Sequence, residues 1–120
     1  MKKILLSLST ITVTFLFTSC KHEAIDTCNP SAFTYAADIK PLMDARCSTC
    51  HKASYTGENG GLYLDTWADL NDYVINNPEN FMGSIKHTAG YEPMPDGGAK
   101  LSDCEIKKIQ NWIDAGAPNN

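Results

Sequence analysis

The chain has 120 residues, 42% of them hydrophobic, with a formal net charge of −4 and a mean hydropathy of −0.28. Fourteen acidic residues against ten Lys and Arg exclude a general affinity for nucleic-acid phosphates or anionic lipid surfaces, which require a basic excess. About 100 residues remain after an apolar N-terminal segment, enough for one domain with one small core.

Met1-Lys2-Lys3 precedes an apolar run from Ile4 to Phe17, and Thr18-Ser19-Cys20 follows. Basic, apolar and then small residues are the order of a secretory signal, and the run is too short and too rich in Ser and Thr for a membrane span. Residues 1–19 are therefore read as a signal peptide. Its end resembles a bacterial lipoprotein box, which implies that Cys20 carries the lipid and that the mature protein is exported and anchored on the periplasmic side of the inner or outer membrane. Ordinary cleavage with Cys20 a bystander is the alternative. Residues 20–32 have no helical or strand periodicity and read as a lipid-anchored tether, followed by a domain over 33–120.

Between Tyr35 and Arg46, the residues Ile39, Leu42, Met43 and Arg46 recur at helical spacing. Pro41 belongs in a first turn, so the helix is expected to start near Asp38. It leads directly into Cys47-Ser48-Thr49-Cys50-His51, the spacing of a covalent c-type haem attachment site. Cysteines three apart on one helical turn share a face, so both thiols reach the vinyl edges of one porphyrin, and His51 supplies the proximal imidazole. A thioredoxin-like Cys pair would need a βαβ setting that is absent from the pattern. A zinc site would need a second closely spaced ligand pair, and none is visible.

A polar, glycine-punctuated loop from Lys52 to Gly61 follows. Leu62 and Leu64 alternate as in a brief extended piece, and a short helix is expected around Trp67 to Tyr73, capped by Asp65 or Thr66. Asn77-Pro78 reads as a further helix start, with Asn77 as cap and Phe81, Met82 and Ile85 on one face.

The segment from His87 to Gly98 holds Met94 between Pro93 and Pro95. Prolines on both sides bar this methionine from helix packing and restrict where its thioether points, as a weak axial ligand requires. Met94 is thus the candidate distal ligand, which would raise the reduction potential because thioether sulfur favours ferrous iron. Met82 and His87 are the competing donors, and His87 otherwise reads as a helix-end residue.

Ser102 and Glu105 form a capping-box pattern at the last helix, in which Ile106, Ile109, Trp112 and Ile113 make one apolar stripe and Gly116 and Pro118 mark the stop. That stripe needs a partner, and the helix before the haem motif is the expected one. Cys28 and Cys104 are left over once haem and lipid have taken the other three cysteines. In an exported chain they are expected to form a disulfide.

Together, the Cys47 to His51 motif, Met94-Pro95 and a terminal helix with Trp112 resemble a class I monohaem cytochrome c, of the kind found as small exported bacterial domains. The resemblance implies an all-α shell around one covalent haem c, with His51 and Met94 as axial ligands. It further implies an electron carrier, not an enzyme, serving redox partner proteins of a respiratory or surface electron-transfer chain. A haem sensor or haem enzyme with an open distal site is the alternative, and a redox anchor within a larger assembly is a third reading.

Overall fold

The computed structural model describes Cys28 and residues 33–120. The expectations for the signal segment 1–19, the lipid-bearing Cys20 and, Cys28 apart, the tether 20–32 lie outside the described residues. Among the described residues the chain is helical and without strands, as the all-α reading expects. No helix among them is long and apolar enough to cross a membrane.

The chain enters the fold through a wide π-type turn, Tyr35–Ile39, that runs into helix α1, Lys40–Arg46. Thr34 caps it by accepting the Ala37 N–H at 3.2 Å, while Asp38 accepts the Thr34 N–H at 3.0 Å. The helical path therefore begins earlier than the expected start near Asp38. Pro41 explains the difference: it has no N–H to donate, and a widened turn carries the ladder up to it. Asp38 and Ile39 both donate to the Thr34 carbonyl, at 3.1 and 3.3 Å. The free donors of Tyr35 and Ala36 are satisfied by Asn120, through its side-chain oxygen at 2.8 Å and its carbonyl at 2.9 Å.

Helix α2, Trp67–Asn76, is capped by Thr66, whose hydroxyl accepts the Asp69 N–H at 3.2 Å. Helix α3, Pro78–Ile85, follows at once. Asn77 does not cap α3 with its side chain, as the sequence had led us to expect. Its main-chain N–H donates at 2.8 Å, and its side-chain amide at 3.4 Å, to the Tyr73 carbonyl, which closes α2, while its own carbonyl accepts the Phe81 N–H at 3.0 Å and opens α3 from the N-cap position. Tyr73 and Phe81 join the two helices edge to face at 6.2 Å.

Helix α4, Asp103–Asp114, opens on the capping box: Ser102 accepts the Glu105 N–H at 3.2 Å and Glu105 accepts the Ser102 N–H at 2.7 Å. It ends in a left-handed turn at Gly116, with Gly116 bonded to Ile113 and Ala117 to Trp112. The Ala117 carbonyl then accepts from Trp67 and Asn71, which ties α2 to the end of α4.

The apolar stripe of α4 packs on the first helical segment, as expected. Ile109 and Trp112 meet Tyr35, Ile39 and Met43 in one buried cluster, with the Tyr35 and Trp112 rings 5.9 Å apart. Trp112 is fully buried and its indole N–H donates to Pro118 at 3.0 Å. Arg46 and Glu105 pair at 2.9 Å across the rim of this contact. Such a half-exposed pair fixes register more than it adds stability.

Candidate cofactor site

Helix α1 stops at Arg46, so the cysteine motif forms a turn of its own. The Cys47 carbonyl accepts from Cys50 at 3.1 Å and from His51 at 2.9 Å, which keeps the helical spacing of the three side chains. His51 is held from the far arm of the loop: its Nδ1 lies 3.1 Å from the Leu62 carbonyl, and its own carbonyl accepts the Leu64 N–H at 2.8 Å. A carbonyl only accepts, so Nδ1 carries the proton and Nε2 keeps a free lone pair. A ligand imidazole oriented by its second nitrogen is the usual arrangement at a metal. The bracket also explains why Leu62 to Leu64 is no strand. Its bonds go to the motif turn, with no ladder beside it.

Cys47, His51 and Met94 line one cavity of about 690 Å³, counting the space at its open mouth. Its walls are mainly apolar, with Leu62 and Leu64 from the bracket, Phe81 and Ile85 from α3, and Leu101 ahead of α4. Cys50 is exposed and outside this lining. Met82 is buried in the core cluster and is not among the lining residues. His87 is absent from the lining as well, and its Nε2 sits 3.0 Å from the Met94 carbonyl.

Burial pushes the Cys47 thiol up to about 11 from its usual 9.0, and the neighbouring Arg46 only partly offsets this. Thioredoxin-like cysteines are the reverse case, with depressed values and a standing thiolate. Cys47 and Cys50 are not joined to each other. Among the described residues no cluster of three His, Cys, Asp or Glu side chains is placed to hold a bare metal ion. The donor set instead suits a haem: a thiol at the wall with a second one turn on, an imidazole with Nε2 uncommitted, a thioether in the same cavity, and an apolar lining.

Away from the motif, Cys28 and Cys104 are joined by a disulfide, their Cα atoms 5.2 Å apart. Cys104 lies in the first turn of α4. Residues that the sequence reading passed over hold the Met94 loop. The Met94 N–H donates to the Ser84 carbonyl at 3.1 Å, and the ring of Tyr91 lies flat against Gly83, where α3 has no side chain. A glycine inside an otherwise helical run was the one available signal of that close approach.

A helical shell with this motif turn beside an apolar cavity defines a cytochrome c-like domain. The family model described as cytochrome c oxidase, cbb3-type, subunit III matches residues 35–113, and the chain belongs to that family. No curated protein and no solved structure matches it. A cytochrome c domain carries covalently bound haem c, and its general work is electron transfer with redox partners.

Proposed function

We propose that the protein is a monohaem electron carrier of class I type. One haem c is joined through Cys47 and Cys50, with His51 Nε2 and the Met94 sulfur as axial ligands, and Cys20 anchors the chain by lipid on the exported side of a membrane. The observation that carries this reading is the meeting of Cys47, His51 and Met94 in one apolar cavity. When bound, haem supplies a one-electron ferrous/ferric couple.

The chain's own residues do the remaining work. The Leu62 carbonyl orients His51 and leaves Nε2 as its donor atom. Leu62, Leu64, Phe81, Ile85 and Leu101 exclude water from the cavity walls, which strengthens electrostatic interactions within. A thioether at the second axial position would close the iron to outside ligands, which favours a carrier over a sensor or enzyme. Its redox partners would be proteins of a respiratory or surface electron-transfer chain.

The test is Met94→Ala in the haem-loaded protein. Loss of the sulfur-to-iron charge-transfer band at the red end of the ferric spectrum, a lower reduction potential and new binding of carbon monoxide are expected. If the unmodified protein already binds carbon monoxide and Met94→Ala alters none of these, the distal site is open and the sensor or enzyme reading replaces this one. The anchor is tested separately by mass spectrometry of the native protein. A mature chain that starts elsewhere than Cys20, or lacks diacylglycerol, overturns it.

A further inference from the structure

We propose that His87 is a positioning residue that aims Met94, by donating its Nε2–H to the Met94 carbonyl. The inference rests on the reading of Met94 as an axial ligand and adds to it the group that holds that ligand in place. Three observations carry it.

First, Nε2 lies 3.0 Å from the Met94 oxygen. A carbonyl offers no proton, so Nε2 must be the protonated nitrogen. That commitment also removes Nε2 as a rival donor to iron. Second, the Met94 main chain is bonded on both sides: its N–H goes to the Ser84 carbonyl at 3.1 Å, and its own carbonyl takes the His87 proton. Both anchors stand at the end of α3, so the thioether is referred to a helix and not to a free loop. Third, His87 has φ 54°, in the left-handed region where glycine is the natural occupant. Histidine is tolerated there better than most side chains, yet it still carries a cost that glycine would not. Backbone geometry alone therefore gives no reason for an imidazole at this position. Its use as a donor does.

Two substitutions separate these roles because they act in opposite senses. His87→Gly relieves the backbone and removes the donor. His87→Gln keeps a donor nitrogen the same number of bonds from Cα but leaves a side chain in the left-handed region. In the full haem-loaded protein, each variant is read by the ferric sulfur-to-iron band, by the reduction potential and by the imidazole concentration that half-displaces Met94. If His87 aims Met94, His87→Gly weakens the band, lowers the potential and lets imidazole displace the sulfur at about one-fifth of the concentration, the worth of one net hydrogen bond. His87→Gln restores most of all three. The reverse order, with glycine equal to the unmodified protein and glutamine impaired, overturns the proposal.

Nitrogen-15 spectra of the unmodified protein give a test without substitution: an Nε2–H tautomer is expected, and an Nδ1–H tautomer overturns it. Met94→Ala is measured alongside. Should that variant keep the band and the imidazole affinity of the unmodified protein, the axial reading itself falls. Should it lose the band while His87→Gly does not, only the role of His87 falls.

Discussion

Replacing Gly83 by alanine tests how the Met94 loop is seated. In an open helix this change stabilises by about 1 kcal/mol, because glycine is the poorer helix former. At position 83 the added Cβ would lie 2.5 Å from both Cγ and Cδ2 of Tyr91 and 2.8 Å from its Cδ1. Carbon atoms pack at roughly 3.5–4.0 Å, so the ring would have to retreat by about 1 Å. Tyr91 is not a loose end: its N–H is bonded to Thr88 at 3.2 Å, and it stands three residues before Met94. Overpacking of this kind costs about 1–3 kcal/mol, which outweighs the helix gain and leaves a net loss of about 1 kcal/mol. With Tyr91 also cut to alanine the clash is gone, and Gly83→Ala should stabilise by about 1 kcal/mol. The sign thus reverses with the partner. Urea midpoints of the four proteins form a double-mutant cycle, and a coupling of at least about 1 kcal/mol is expected. If Met94 is the axial ligand proposed above, Gly83→Ala should also weaken the ferric sulfur-to-iron band, through the displaced loop. A raised midpoint for Gly83→Ala with Tyr91 present, or additivity across the cycle, would refute the close-approach argument.

Reduction of the Cys28–Cys104 bridge, which joins residues 76 apart, should cost on the order of 4 kcal/mol by chain entropy. That corresponds to a fall in Tm of about 20 °C in a domain of this size, and an unchanged melting curve after reduction would contradict it. Acid stability should depend on Glu105. Burial alone would raise this carboxyl, but the Ser102 N–H and hydroxyl and the Arg46 guanidinium together hold it below its ordinary 4.5. A depressed carboxyl stabilises the fold fully above its unfolded value, and that contribution is lost as pH falls through the folded value. Glu105→Gln should therefore flatten the stability profile in the acid limb below about pH 4.5 and leave its slope at neutral pH unchanged, as urea titrations across pH would show. Trp112→Ala should be the most damaging core change, at about 3–5 kcal/mol against a total of about 5–15, because it empties a fully buried site and leaves the Pro118 carbonyl without its donor. A denaturation midpoint close to that of the unmodified protein would mean that α4 does not anchor the core.

Local chemistry in the chain determined a good deal by itself. The spacing of Cys47, Cys50 and His51 has the pattern of a haem attachment motif without any fold, because one helical turn is all the geometry that pattern needs. The capping box at Ser102 and Glu105, the stop at Gly116 and the stripe through Trp112 are likewise decided within a few residues, by backbone donors and by a period of 3.6. Tertiary structure alone decided the partners reached over longer distances. That Leu62 supplies the carbonyl for His51, that Asn120 satisfies the first helical donors, and that Tyr91 presses on Gly83 are contacts between segments whose order in sequence carries no record of their distance in space. Asn77 shows the same limit at short range: its pattern placed it rightly at the N-cap of α3, but its side-chain amide turns to the Tyr73 carbonyl of α2 and makes no cap bond to α3. Met94 lies between the two cases. Its flanking prolines made it stand out from the chain, but only the folding of α3 brings Ser84 and His87 to its main chain and places the residue on the cavity that His51 shares.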